Sequence, residues 1–384
     1  MKASHSRRRS PQGILFPLIL LGSCLLTLPS CRNASSPKPE EETAQPSQEN
    51  RLIVEDAILE QSDAEGNILW KIQTDEAIYS QDRKLATVTG IIGNLYEDGE
   101  IILSLKADKG RIINDGERVI LQENIVVTDN RYGAVLEASQ AEWQPANYLL
   151  KIDADLKGKY PNGQFASDRG QYLIDTQELE LNDSIEGFTV EPPLHLKGTT
   201  IFWQLKEELI KAEAGLEIQQ YTEEKITTHV KAEKAEVQLL EKLVTMTGSV
   251  LLNSLEPEIQ FASDEAVWDI EKALITGKGS VQVTQNKEKV QFQGNQGTFN
   301  ITTQQANLLG AVRGVGEDPP STLQAAKVDW NIKTQDVLAQ GNVIYEQSDP
   351  RLTLKGDRAV GQLTRNTLVV SGTRQKQVIT EVIP

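Results

Sequence analysis

One bulky side chain returns about every 31 residues. Aligning the phrases Ala-Ser-Asp-Glu-Ala-Val-Trp268, Gln-Ala-Ala-Lys-Val-Asp-Trp330, Ala-Ser-Asp-Arg-Gly-Gln-Tyr172 and Ala-Ser-Gln-Ala-Glu-Trp143 sets a common frame. In it Tyr79, Ile113, Trp143, Tyr172, Trp203, Trp268, Phe299 and Trp330 hold one position, with weaker equivalents at Gln238 and Gly361. Self-similarity at a fixed period is the mark of stacked supersecondary units. A unit this short cannot bury an apolar face alone and does so only against its neighbours. The body is therefore expected to be one continuous stack of about ten units.

Within a unit the periodicity is two, not 3.6, as in Val328-Asp329-Trp330-Asn331-Ile332, which reads as half-buried strand. The expected order is a strand with the bulky residue, a polar turn, a second strand ending in Gly-x-Val, a turn, and a third apolar run. Gly248-Ser249-Val250, Gly279-Ser280-Val281 and Gly341-Asn342-Val343 are copies of the second element. Turn signals stand at Asp98-Gly99, Asn114-Asp115-Gly116, Asn162-Gly163 and Asn182-Asp183. Gln204 to Ala214 has good helix formers, but its place in the frame makes it strand. The expected fold is all-β, two stacked antiparallel sheets with about one strand per unit in each, on the order of 50 Å long. Gly314 to Pro320 reads as an enlarged loop. A boundary near Glu191-Pro192-Pro193 divides the body into 51–193 and a continuous second half, 194–384.

Residues 1–30 have the layout of a lipoprotein-type signal: Lys2, Arg7, Arg8 and Arg9, then an apolar stretch from Ile14 to Leu28. Two boxes end in a candidate lipidated cysteine, Leu28-Pro29-Ser30-Cys31 and the alternative Leu21-Gly22-Ser23-Cys24. Cys31 is favoured because polar sequence begins directly after it; an uncleaved anchor would leave the protein at the same membrane. Residues 31–50, rich in Ser, Pro, Glu and Gln, read as a disordered tether.

Composition excludes several function classes. A formal charge of −16, from 39 Lys+Arg and 55 Asp+Glu, repels phosphate backbones, so no nucleic-acid partner is expected. Three His and two Cys offer no zinc-ribbon or cluster spacing, and neither a metal nor a cofactor is expected. His195 and His229 stand alone among polar neighbours, and no nucleophile elbow or phosphate loop occurs, so the chain is not read as an enzyme.

The recurrent aromatics have aliphatic or small neighbours two positions away, such as Ala266 and Ile270 beside Trp268, which places them on one face. They fill the space between sheets, or, where the sheets lean apart, line an apolar groove. The eight bulky residues are the groove candidates.

The phrases Gly66-Asn67-Ile68-Leu69-Trp70-Lys71-Ile72, Asp75-Glu76-Ala77-Ile78-Tyr79, Leu105-Lys106-Ala107-Asp108-Lys109-Gly110-Arg111 and Val119-Ile120-Leu121-Gln122-Glu123-Asn124-Ile125 resemble the LptC family of lipopolysaccharide export proteins. Later units, with Ala-Ser-Asp-x-Ala and Gly-x-Val, resemble the wider OstA/LptA group. The resemblance implies an elongated open β-jelly roll in the periplasm, anchored to the inner membrane. It implies lipopolysaccharide as cargo, an inner-membrane ABC transporter as source, and LptA/OstA-like partners joined by edge-strand pairing. Unpaired edges also point to a homodimer. The chain departs from the pattern in being longer than one such jelly roll and in its lipoprotein-like leader. A carbohydrate-binding or adhesive β-solenoid is the alternative.

Overall fold

In the computed structural model the described residues are 51–365, 367–372 and 379–382; the leader, both cysteines and the tether lie outside them. Residues 50–384 form one compact unit. Its described part is twenty-six strands, three single 3₁₀ turns and no α-helix. Every strand pair is antiparallel, and sequence neighbours are mostly sheet neighbours. This is the two-sheet, elongated β-jelly roll expected of the repeat.

The units are built differently from the three-run order. Gly-x-Val does not end a strand: it is a bulge in the middle of one. Leu243–Leu255 runs through Gly248 and Ser249, both with positive φ (77° and 48°), and its register with Glu258–Asp269 shifts between Thr247 and Val250. The same paired left-handed bulge recurs at Gly279-Ser280, Gly310-Ala311 and Gly341-Asn342. Asn182-Asp183 is likewise no turn between strands but the onset of a bulge within Glu178–Thr189. A bulge adds residues to one strand only, so the strand bends sharply there. Each long strand therefore crosses from one sheet to the other, and the second strand and third apolar run are one element.

The opposing strand kinks opposite the bulge. In Glu258–Asp269 the buried positions are Ile259, Phe261 and Ser263, then Ala266 and Trp268. The change from odd to even positions occurs at Asp264, where one extra residue resets the alternation. The Asp of Ala-Ser-Asp thus marks the corner. Acidic side chains meet the left-handed residues there: Asn124 and Ser184 donate to Asp108 and Asp168 at 2.6 and 2.8 Å, and Ser249 donates to Glu233 at 2.8 Å.

Gly248 has no room for a side chain, since an added Cβ would lie 2.8 Å from the Glu233 Cβ. Gly248→Val is expected to lower stability by about 2–4 kcal/mol, combining left-handed backbone strain with overpacking. A urea titration beside Gly248→Asn, which tolerates this backbone and is expected to cost less, checks it.

Because every long strand is shared, each sheet receives about two segments per unit rather than one. About twenty-one segments at ~4.8 Å make a stack on the order of 100 Å, twice the length expected from one strand per unit. Gly314 to Pro320 is no enlarged loop: Gln305–Glu317 and Pro320–Asn331 meet in a tight turn with Glu317 paired to Pro320. Across Glu191-Pro192-Pro193 the strands Glu178–Thr189 and Leu194–Gln204 pair directly, Thr189 to Leu194.

The bulged corner joins the two sheets along one side. On the other side each sheet ends in its own row of turns. One row holds 114–117, 205–208, 239–242, 270–273 and 332–335; the other holds 130–133, 161–162, 190–193, 256–257 and 318–319. Between the rows runs a mouth that leads to the apolar core.

Candidate functional site

Six of the eight predicted groove residues lie in that core with almost no exposure: Trp143 0%, Tyr172 1%, Trp203 4%, Trp268 0%, Phe299 0% and Trp330 1%. Tyr79 and Ile113 are half-buried. Trp268 pairs in register with Val244 on one side and Ile275 on the other, and Phe299 pairs with Ile275 and Ala306. Trp203 meets Tyr160 and Phe165 edge-on at 5.4 and 5.6 Å, and Trp330 packs on Phe292 at 5.2 Å. The indole N–H groups of Trp143, Trp203, Trp268 and Trp330 are buried without an acceptor.

The mouth is bridged at intervals. Near one end Asp129, 2% exposed, binds the Arg131 guanidinium at 2.6 Å and accepts the Tyr172 hydroxyl hydrogen bond. Arg131 also donates to the Ile174 carbonyl at 2.7 Å, so this cluster ties one turn row to the other sheet. Burial pushes the Tyr172 phenol well above its ordinary value, and the Asp129 carboxylate adds to it. Burial pulls the Arg131 guanidinium down, but hydrogen bonding and charge from Asp129 more than offset that.

Further along, the Tyr160 hydroxyl donates to the Leu205 carbonyl at 3.4 Å, and the Lys242 ammonium meets Glu191 at 2.7 Å. Lys242 holds the exposed Glu191 carboxyl below its usual range. The next bridge is Gln335 to Gln285 at 2.8 Å.

Beyond it the mouth is open. A cavity of about 370 Å3 enters there between Lys287–Lys289 and Glu317–Pro319 in one row and Gly361–Thr364 in the other. Its apolar lining includes Phe292, Leu323, Val337, Tyr345, Leu363 and Leu368, and Phe292 connects it to the Trp330 pair. None of these six was among the sequence candidates. Phe292 and Tyr345 had a signal, as aromatics in alternating strands, but outside the frame position.

The two histidines sit on Leu194–Gln204 and Lys225–Ala232. The His195 ring lies 2.8 Å from Glu186 and stacks on Phe188 at 4.2 Å, while His229 lies 2.7 Å from Glu217. Hydrogen bonding from His195, then Lys197, lowers the Glu186 carboxyl. Among the described residues no cluster of His, Cys, Asp and Glu could hold a metal ion.

A search of curated proteins finds no match. Among solved structures, LptH from Pseudomonas aeruginosa, described as the LptA homologous periplasmic component of the lipopolysaccharide transport device, matches at 15% identity. The match covers 33% of this chain and 95% of LptH with a TM-score of 0.30, a likeness too low to argue from. The family model described as lipopolysaccharide-assembly, LptC-related, matches residues 18–189 and 215–318, well over half of the chain. The chain belongs to the LptC-related lipopolysaccharide-assembly family.

Proposed function

We propose that the protein is a periplasmic lipopolysaccharide-transport component that holds acyl chains between its two sheets. It takes them from an inner-membrane ABC transporter and passes them towards the outer membrane. The observation that carries this reading is the C-terminal cavity, whose polar and charged rim opens onto an apolar floor packed against the inter-sheet core. An acyl chain gains about 0.8 kcal/mol per buried methylene and needs no polar partner there. The eight frame residues would then be the packed continuation of the groove, reached as the sheets part.

A lipid on Cys31 or Cys24, or an uncleaved leader, would hold the body at the inner membrane. The segments 51–193 and 194–384 would act as two jelly rolls run together. Among the described residues Leu52–Ser62 pairs on one side only and exposes Leu52, Ile53 and Ile58. Such an edge suits strand addition by an LptA/OstA-like partner or a second copy.

The test places a photo-crosslinker at Tyr345 or Leu363 in the full-length protein in cells. Capture of lipopolysaccharide there, and not at the outward Asp329, is expected. Equal capture at all three would sink the reading. A second reading, carbohydrate binding on the outer face, has one observation in its favour. Phe188, 40% exposed and stacked on His195, borders a shallow hollow with Lys157, Lys159 and Gln164. Loss of polysaccharide binding in Phe188→Ala with crosslinking at Tyr345 absent would favour it.

A further inference from the structure

We propose that the Gln285–Gln335 hydrogen bond is a removable strut that limits how many acyl chains the C-terminal mouth admits. The inference rests on the groove reading above.

The two glutamines come from opposite turn rows, 50 residues apart in sequence. Gln285 ends the strand Leu274–Gln285 of one sheet, and Gln335 lies in the turn before Asp336–Ser348 of the other. Both side chains are nine-tenths buried, at 9% and 6% exposure. The Gln335 amide donates to Gln285 Oε1 at 2.8 Å and to the Ile332 carbonyl at 2.6 Å.

Two features mark this bridge. First, the mouth is open on both sides of it. Towards the C-terminus lies the cavity of about 370 Å3. On the other side a shallower opening is bounded by Leu255, Glu256, Pro257, Gln285 and Gln304. Gln285 lines the second opening, and Lys287, two residues on in the same turn row, lines both. Second, the bridge joins neutral amides, and Gln335 Oε1 is buried with no hydrogen-bond partner. A neutral bond of this kind is exchanged for other partners more easily than the buried Asp129–Arg131 pair. Once the bond parts, the spare oxygen can accept from a hydroxyl or amide of an arriving ligand.

Size gives the strut its consequence. A cavity of about 370 Å3 is at the lower end of the ~300–1,000 Å3 that hold one drug-sized ligand. It suits one acyl chain, not a lipid that carries several. Parting Gln285 from Gln335 would merge the two openings into one longer groove floored by Phe292, with Trp330 packed behind it. The strut would then discriminate by number of chains rather than by headgroup.

The experiment uses the purified full-length protein and two fluorescent probes, a single-chain fatty acid and a hexa-acyl lipid A. Gln335→Ala and Gln285→Ala reach the same bond from opposite sheets, so one variant serves if the other fails to fold; thermal unfolding monitors both. Each is expected to bind lipid A at least about threefold more tightly than wild type while fatty-acid affinity changes less than about twofold. The double variant is expected to gain no more than the better single one, because one bond is lost in each case. Equal change for both probes, or none for lipid A while the fatty acid still binds, would overturn the strut and leave the groove standing. Binding of neither probe to any form would overturn the groove and the strut with it.

Discussion

Trp268→Ala is expected to cost about 3–5 kcal/mol, the range for truncating a fully buried aromatic. The side chain has no exposed surface and its indole N–H has no acceptor, so the loss is one of packing, with no hydrogen bond to set against it. Its cross-strand partners Val244 and Ile275 belong to neighbouring strands that the bulges hold in register, and they cannot close a void of that size. Trp268→Phe keeps a ring in place and removes the orphan donor, so it should cost clearly less than the alanine variant. Leu240→Ala, at a position 65% exposed in a turn, should stay within about 0.5 kcal/mol of wild type. Because the units couple only to their neighbours, the loss should also appear as an early unfolding step rather than a uniform shift. Urea titrations followed by circular dichroism read both quantities. A cost below about 1 kcal/mol for Trp268→Ala would mean that the frame position is not a core position.

The frame was legible because burial imposes it. The residue that points inward just before the turn recurs once per unit, and Trp143, Tyr172, Trp203, Trp268, Phe299 and Trp330 all fill that place. The corner was only half legible. Gly-x-Val announces a change of backbone direction, yet a turn and a bulge both call for left-handed residues, and composition does not separate them. What separates them is the register of the partner strand, a long-range property: Thr247 pairs with Glu265 and Val250 with Ser263 across the same bulge. The bridges were not legible at all. Asp129 and Tyr172 are 43 residues apart, and Gln285 and Gln335 are 50 apart. Their meeting depends on how the two sheets lie over each other, which no repeat within one sheet encodes.

Corner and mouth divide the labour between stability and function. On the corner side the sheets share every long strand, so separation there would break the backbone ladder. On the mouth side only side chains and a few carbonyls join them, and each bridge can be lost alone. A ligand that entered the core through the mouth, as proposed above, would have to part the bridges it met.

Arg131→Ala removes the strongest of these bridges and is expected to cost about 3–5 kcal/mol, since it leaves the Asp129 carboxylate buried without its cation. Replacing both Asp129 and Arg131 by Leu should cost less than Arg131→Ala alone, because no unpaired charge remains. The same cluster predicts an alkaline limit. The Tyr172 phenol is raised by burial and by Asp129, so the folded state keeps its proton where the unfolded chain, near the ordinary value of about 10, has lost it. This contribution is complete below pH ~10 and is lost as pH rises above it, by up to about 1.4 kcal/mol per pH unit. Tyr172→Phe loses the hydrogen bond at neutral pH, at a cost of about 1–3 kcal/mol, and also loses the alkaline decline that it supplied. The difference in stability between wild type and Tyr172→Phe should therefore shrink between pH 9 and pH 11, measured by urea titration at each pH. A difference that stays constant across that range would place the titration elsewhere and detach the phenol from the bridge.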